Sequence, residues 1–224
     1  MQPNKHIVIF SHGFGVRKDD RGLLTDIAKE IPEVESVLFD YFEVDEINKT
    51  LTIRTITEQA KMLNDVVRKT RESNPETIID LIGHSQGTIV SAVAKPDGIR
   101  KAILLAPVFD LGLERTMKRY KDTPGCDINL EGESRLYALE GLVRIVPKEY
   151  WIDRQKIKTS DEYNAFAEKA ELIFIEANQD EFLHKVALKD LSPKAKIMSL
   201  EGDHNFTGEN REGLIKKIRE ILFS

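Results

Sequence analysis

The sequence contains very little cysteine: among its 224 residues, Cys126 is the only one. A disulfide within the chain is therefore excluded. Proteins of oxidising compartments use disulfides far more than proteins of the reducing cytoplasm, so we expect a cytoplasmic location. Cys126 lies in the polar stretch PGCD (124–127), which is typical of a surface loop, and we assign it no function.

Long hydrophobic runs and basic patches are also lacking. No apolar run approaches the ~20 residues that a membrane-spanning helix needs. The N-terminal stretch has only the four consecutive apolar residues Ile7 to Phe10 and no small-residue cleavage site, so we expect neither a membrane span nor a signal peptide. The 33 basic and 38 acidic residues are mixed along the chain and give a net charge of −5. Because no basic stripe with interleaved aromatic residues occurs, we expect no nucleic-acid partner.

The composition, with 41% hydrophobic and 32% charged residues, is that of a globular protein long enough for one full domain. Short, nearly continuous apolar runs alternate with longer amphipathic stretches. Such runs are typical of strands in a sheet that is covered on both faces. We interpret six of them as strands: residues 6–10, 36–40, 77–82, 101–106, 172–177 and 195–200.

The stretches between these runs have helical periodicity. Apolar residues at spacings of three and four form one face in two segments: Ile53, Ile56, Ala60, Leu63 and Val67, and later Leu214, Ile215, Ile218, Ile221 and Leu222. Strand–helix alternation predicts βαβ units with right-handed crossovers. The expected fold class is therefore α/β, with a doubly wound, mainly parallel sheet of about six strands.

One interval breaks this alternation. More than sixty residues separate the strand ending near Ala106 from the one starting near Leu172, which is far more than one crossover helix needs. We predict a single domain over residues 1–224 with a cap inserted at about 108–168, above the carboxyl edge of the sheet. Seven aromatic residues fall in this interval, and most of them are expected to form the core of the cap. Tyr150 and Trp151 are our candidates for residues that line a substrate pocket.

The stretch LIGHSQGTIV (81–90) contains the most informative residue of the chain. Ser85 lies between Gly83 and Gly87 where a predicted strand becomes a helix. A tight turn at this point places the serine in a strained conformation, and small neighbours let chain segments converge around it. The hydroxyl then stands clear of the backbone at a helix N-terminus. This pattern, Gly-x-Ser-x-Gly, predicts a nucleophile elbow with Ser85 as the nucleophile.

A serine nucleophile needs a general base and a carboxylate that orients it. Of the five histidines, His204 lies just past the last predicted strand, where its side chain can reach the same edge of the sheet as Ser85. Asp180 follows the preceding strand, 24 residues before His204, and gives the chain order Ser, Asp, His. Asp110, after an earlier strand, is the rival for the acid.

The stretch FSHGFG (10–15) follows the first strand, and its glycines allow a backbone N–H group to turn toward Ser85. We predict that the N–H groups of Phe14 and Gln86 form an oxyanion hole. His12 is expected to hold this loop by hydrogen bonds rather than to take part in the chemistry.

The segments HGFG, GHSQG, NQD and GDH, in this order, resemble the α/β-hydrolase superfamily and specifically its small serine esterases. The inserted cap is similar to that of bacterial carboxylesterases, including cinnamoyl and feruloyl esterases. Two departures stand out. The sequence opens directly on the strand before the oxyanion loop, so we expect the first two strands of the family to be absent, and the turn before Asp180 reads EANQD where a glycine is more usual.

The resemblance implies hydrolysis of a small-molecule ester through an acyl-enzyme on Ser85, with no metal or organic cofactor. Because the cap is short and charged, we expect short-to-medium acyl or aryl esters rather than long lipids. Relatives with an aspartate nucleophile are disfavoured because the elbow carries serine. Two alternatives stay open: an acyltransferase or perhydrolase on the same triad, or a non-catalytic ligand-binding module of the same fold. The sequence does not set the oligomeric state.

Overall fold

The computed structural model describes residues 5–121, 123–137, 141–181 and 190–224. Within these residues the elements follow one another as β1 (His6–Ser11), α1 (Leu23–Glu30), β2 (Glu35–Leu38), β3 (Val44–Asp45), β4 (Thr50–Thr52), α2 (Ile56–Ser73), β5 (Ile78–His84), α3 (Gln86–Ala94), β6 (Ile99–Leu105), α4 (Leu113–Tyr120), β7 (Glu133–Tyr137), β8 (Val143–Pro147), α5 (Lys148–Lys156), α6 (Thr159–Ala167), β9 (Glu171–Ala177), β10 (Lys196–Leu200) and α7 (Asn210–Leu222).

The main sheet has six strands in the order β10-β9-β6-β5-β1-β2, and every neighbouring pair is parallel. All six strands predicted from apolar runs are present, with ends shifted by one to a few residues. The predicted doubly wound parallel sheet is therefore confirmed. Its parallel arrangement brings the carboxyl ends of all six strands to one edge, where ligands bind in folds of this class.

Helices cover both faces of this sheet because successive strand residues point to opposite sides. In β1, Ile7 and Ile9 pack in one core with residues of α2, α3 and α6. Val8 and Phe10 pack in a second core with α1 and α7. Each strand is thus buried on both faces, which explains why the strand sequences are almost uninterrupted apolar runs rather than alternating ones.

The longest described helix, α2, begins with a capping box in which the Thr55 side chain accepts a hydrogen bond from the Glu58 backbone N–H and Glu58 bonds back to Thr55. The predicted helical face is present from Ile56 onward. Ile53 is buried but precedes the helix. No helix among the described residues is long and apolar enough to cross a membrane.

A second, four-stranded sheet lies over the first, with the strand order β3-β4-β8-β7. The predicted insertion, residues 108–168, contributes α4, β7, β8 and α5 to this layer. The strands β3 and β4 come from residues 44–52, where the sequence predicts no strand. They have two and three residues, which is too short for an alternating pattern to be visible in the sequence.

The last helix of the predicted insertion, α6, packs against the main sheet rather than in the cap layer. The Tyr163 hydroxyl lies 2.9 Å from Thr88 Oγ1 on α3 and donates to the Val108 carbonyl, also at 2.9 Å. Its ring contacts that of Phe174 on β9, with the two centroids 5.0 Å apart. The helix α6 is therefore the crossover helix that leads into β9.

Candidate active site

The elbow is strained as its sequence suggests. Ser85 follows β5 and precedes α3 with φ 51° and ψ −122°, a conformation that residues with a Cβ rarely adopt. A Cβ on Gly87 would lie 2.0 Å from the Ser11 carbonyl oxygen, and one on Gly83 would lie 2.9 Å from the Gly87 carbonyl oxygen. The two glycines are thus required for the close approach of β1, β5 and α3. The surrounding packing holds Ser85 in its unfavourable geometry.

The structure brings Ser85, His204 and Asp180 together. His204 Nε2 lies 2.9 Å from Ser85 Oγ, and His204 Nδ1 lies 2.7 Å from Asp180 Oδ2. The side chains of His204 and Asp180 are 10% and 6% exposed, respectively. Since the carboxylate only accepts, His204 Nδ1–H donates to it, and Nε2 can accept the proton of the serine hydroxyl. This is the arrangement of a nucleophile, a general base and an orienting acid.

The carboxylate that contacts His204 Nδ1 is that of Asp180 and not that of the rival acid, Asp110. Its Oδ1 accepts the Gly112 backbone N–H at 2.7 Å, just before α4, and the residue is exposed. Asp180 reaches its place without a glycine turn because backbone bonds join the loops after β9 and β10. Asn178 N donates to Leu200 O at 2.9 Å, and Gln179 N donates to Gly202 O at 3.0 Å.

The environment of His204 favours its neutral form. Burial has the largest influence and lowers the pKa of the imidazole. The hydrogen bond to Asp180 raises this pKa, while the positive charge of His84 lowers it again, and the resulting pKa lies below the ordinary histidine value. A neutral imidazole is the form that can take a proton from serine.

The loop after β1 lies directly against the nucleophile. A Cβ added to Gly13 would be 3.4 Å from Ser85 Cβ. The Gly13 N–H donates to Asp20 Oδ2 at 2.8 Å, so this N–H is not directed at a substrate. The next residue, Phe14, and the first residue of α3, Gln86, are the two whose N–H groups the sequence predicts as oxyanion donors.

The His12 side chain connects the loop after β1 to the segment that contains Tyr41. Its Nδ1–H donates to the Gly13 carbonyl at 3.0 Å, and its Nε2 accepts the Tyr41 backbone N–H at 3.1 Å. One nitrogen donates and the other accepts, which requires the neutral ring. Consistently, burial lowers the pKa of His12.

A cavity of about 160 Å³ opens above Ser85. Its lining is formed by the residues Gly13, Phe14, Val16, Asp20, Arg21, His84, Ser85, Tyr120, Arg144, His204 and Asn205. Arg144 comes from β8 in the second sheet, and its Nε donates to the Gly15 carbonyl at 2.7 Å. The sequence does not single out Arg144, which reaches the site from β8 of the second sheet. Tyr120 is one of the seven aromatic residues in the predicted insertion, but nothing in the sequence distinguishes it from the others.

The structure does not place Tyr150 and Trp151, the two predicted pocket residues, on the wall of this cavity. Both are completely buried on α5. The Trp151 indole N–H donates to Ser134 Oγ at 3.0 Å. The Tyr150 hydroxyl donates to Gln86 Oε1 at 2.5 Å, and its ring lies 5.4 Å from that of Phe14. Tyr150 therefore contacts both residues predicted to form the oxyanion hole, although it does not line the cavity itself.

No group of three or more histidine, cysteine, aspartate or glutamate side chains suited to a metal ion occurs in the part of the chain that the structure describes.

Comparison with known proteins agrees with this architecture. Residues 2–105 match the family described as the PGAP1-like alpha/beta domain. This segment includes β1, the loop after it, the elbow and β6. No curated protein sequence matches the chain.

Several solved structures are similar over almost the whole chain. Est1E from Butyrivibrio proteoclasticus, solved with ferulic acid bound, is 20% identical with a TM-score of 0.70, over 99% of this chain and 90% of Est1E. The esterase domain of a Rhodothermus marinus protein is 15% identical with a TM-score of 0.63, over 97% and 85%. Alpha/beta hydrolase domain-containing protein 10 from mouse is 15% identical with a TM-score of 0.58, over 96% and 89%.

Proposed function

Because the chain has the α/β-hydrolase fold, we propose that it is a serine hydrolase of carboxylic esters with short-to-medium acyl or aryl groups. The observation that carries this proposal is the unbroken series of contacts from Ser85 Oγ through His204 to Asp180, at 2.9 and 2.7 Å. It lies at the edge of the sheet where the carboxyl ends of the strands meet. A protein that only binds a ligand has no need of such a series.

In the proposed reaction, Ser85 Oγ attacks the ester carbonyl while His204 Nε2 takes its proton. The resulting imidazolium is stabilised by Asp180 and then protonates the leaving alcohol oxygen, so that an acyl-enzyme on Ser85 remains. Water enters, loses a proton to His204 and attacks the acyl carbon. Release of the carboxylic acid returns the proton to Ser85.

The N–H groups of Phe14 and Gln86 are the proposed donors to the oxyanion. Gln86 begins α3, whose N-terminus contributes partial positive charge where negative charge develops on the substrate. Tyr150 supports this assignment, since it contacts the Phe14 ring and the Gln86 side chain together. Backbone donors held in this way require little rearrangement during the reaction.

The size of the cavity supports a small acyl or aryl group. At about 160 Å³ it is close to a cavity of roughly 150 Å³ that holds one benzene molecule. Ferulic acid, bound in the structurally similar Est1E, is an aryl acid. A long acyl chain would extend beyond the cavity into solvent.

A series of p-nitrophenyl esters from acetate to laurate, together with methyl ferulate, tests this proposal. We expect turnover by the wild-type protein, with kcat/KM highest for acyl chains of about two to six carbons or for the aryl ester. The Ser85→Ala variant measures background hydrolysis. If wild-type turnover equals that background for every ester, the chain is not an esterase. Faster release of p-nitrophenol on adding an alcohol or hydrogen peroxide would instead identify an acyltransferase or perhydrolase.

A further inference from the structure

His84, the residue before the nucleophile, is completely enclosed, and each of its ring nitrogens faces an oxygen atom. His84 Nδ1 lies 2.7 Å from Asp20 Oδ2, and His84 Nε2 lies 2.9 Å from the backbone carbonyl oxygen of His204. Both side chains of the pair are 1% exposed. Asp20 Oδ2 also accepts the Gly13 N–H at 2.8 Å.

These contacts define the charge of the pair. A carbonyl oxygen only accepts, so His84 Nε2 carries a proton. The remaining proton lies between His84 Nδ1 and Asp20 Oδ2. Imidazole is the stronger base, with a pKa near 6.5 against about 3.9 for aspartate, so the proton belongs on the ring. His84 is then an imidazolium and Asp20 a carboxylate.

The balance of influences on each group agrees with this assignment. Burial has the largest influence on both groups and opposes their charges. For His84, the charge and hydrogen bond of Asp20 together with the His204 carbonyl outweigh burial, so the pKa is raised. For Asp20, the charge and hydrogen bond of His84 with the Gly13 N–H outweigh burial, so the pKa is lowered.

The pair joins three segments that a serine hydrolase must hold in register. Asp20 binds the loop of the predicted oxyanion hole through Gly13, and His84 adjoins Ser85 in the elbow. The third contact is to the backbone of His204, the proposed base. Removing either member of a buried pair leaves the other charge uncompensated and is strongly destabilising to the local arrangement.

The positive charge of the His84 imidazolium also lowers the pKa of His204, the proposed base. The His84 and His204 rings are 5.1 Å apart, and the charge of His84 disfavours a second cation on His204. Other charged or titratable groups face this pair: Arg21, which opposes the charge on His84, His12 behind the loop, and Asp180 on the far side of His204. Of these, Asp180 favours protonation of His204. Within the pair, Asp20 does so as well, but its charge has a smaller influence on the His204 pKa than the charge of His84.

We propose that His84 and Asp20 are positioning residues of the esterase site, a buried ion pair that aligns the oxyanion loop with the base and keeps His204 uncharged. This inference rests on the proposed function, because alignment matters only if Ser85 reacts. The claim that the charge of His84 keeps His204 neutral can be tested without any substrate, by measuring the protonation of the two histidine rings.

The test is a pH titration of the histidine ring nitrogens by 15N NMR, in the wild-type protein and in His84→Gln. At pH 7.5 we expect both His84 nitrogens protonated and His204 neutral. In His84→Gln the titration midpoint of His204 should rise by about half a pH unit or more, because a cation about 5 Å away is removed. The matched control is His6→Gln, which removes a 2.8 Å contact to the buried Asp80 near the opposite edge of the sheet. It should leave the His204 midpoint unchanged.

Kinetics test the positioning part. Asp20→Asn can still accept from Gly13 and His84 through one amide oxygen, but it removes the negative charge that holds the His84 imidazolium, so kcat should fall about 10- to 100-fold with little change in KM. A neutral His84 in the wild-type protein overturns the proposal even if the variants fail to fold. An unchanged His204 midpoint in a folded His84→Gln variant also overturns it. If the wild-type protein hydrolyses no ester, the proposed function fails, while the NMR result still decides the ion pair.

Discussion

Two histidine–aspartate pairs lie side by side at this edge of the sheet and differ in what they do. In His204–Asp180 and in His84–Asp20 the histidine Nδ1 lies 2.7 Å from the carboxylate. Both carboxylates are buried, and the two rings are 5.1 Å apart. The pKa of His204 is nevertheless lowered, and the pKa of His84 is raised.

The second ring nitrogen explains the difference. His204 Nε2 faces a hydroxyl, Ser85 Oγ, which can donate a hydrogen bond to a neutral ring. His84 Nε2 faces a carbonyl oxygen, which can only accept, so Nε2 carries a proton. Because Nδ1 faces the Asp20 carboxylate, both ring nitrogens then donate and the ring is an imidazolium. The same two residue types thus suit one ring to accept a proton and the other to carry a positive charge, as the opposite shifts of their pKa values indicate. A histidine–aspartate contact alone does not identify a catalytic pair.

The largest effect should come from removing the hydroxyl that distinguishes the two pairs. Ser85→Ala should lower kcat by about 10⁴- to 10⁶-fold, because no nucleophile remains, and the variant should still fold. Turnover of a p-nitrophenyl ester and thermal unfolding measure the two properties. Ser91→Ala, which removes a buried hydroxyl from the same helix α3, is the matched control. A Ser85→Ala protein that keeps a tenth of wild-type turnover would rule out the assigned nucleophile.

The second effect concerns the carboxylate of the proposed catalytic pair. Asp180→Asn should lower kcat by about 10⁴-fold, since the amide neither orients His204 nor stabilises its imidazolium. Asp110→Asn removes a carboxylate that, within the described part of the chain, accepts a hydrogen bond from Gly112 in its own loop, and it should change kcat little. Steady-state kinetics of both variants decide between them. The opposite ranking would assign the acid to the loop after β6.

The third effect is the pH dependence of the base. Since the pKa of His204 is lowered, kcat/KM should rise with pH and reach half of its maximum below about 6.5, the ordinary histidine value. The rate profile of the wild-type protein between pH 4.5 and 8 measures this midpoint. A midpoint clearly above 6.5 would contradict the environment described for His204.

The smallest effect is on stability at alkaline pH. Since the pKa of His84 is raised on folding, its ion pair stabilises the protein fully below the unfolded-state value of about 6.5. This contribution is lost as the pH rises through the folded-state pKa. The difference in Tm between the wild-type protein and His84→Gln should therefore be largest near pH 6 and shrink toward pH 9. A difference that grows with pH would indicate a neutral His84.

The sequence sufficed for those features that depend on local patterns. Apolar runs predict six buried parallel strands because both faces of each strand are covered, and glycines at fixed spacing predict the strained turn at Ser85. Because the strands are parallel, the loops that follow them lie at one edge of the sheet, and the side chains on these loops can be predicted to meet there. His204 and Asp180 could be named for that reason, although 24 residues separate them.

Features that depend on long-range packing could not be predicted. The strands β3 and β4 are too short to show a pattern. Arg144 reaches the cavity only because the second sheet lies above it. His84 and Asp20 are 64 residues apart, and no motif in the sequence indicates that they form a pair. The aromatic side chains of Tyr150 and Trp151 are compatible with a pocket wall, yet both have hydrogen-bond partners in the interior, which allows them to be buried.

Covalent labelling of the nucleophile tests the central claim most directly. A fluorophosphonate reacts with a serine only where a neighbouring base activates the hydroxyl and donors stabilise the oxyanion. The account predicts one adduct per wild-type chain, located by peptide mass spectrometry on Ser85, and no adduct in folded Ser85→Ala. A folded wild-type protein without an adduct, or with its adduct on another residue, would contradict it.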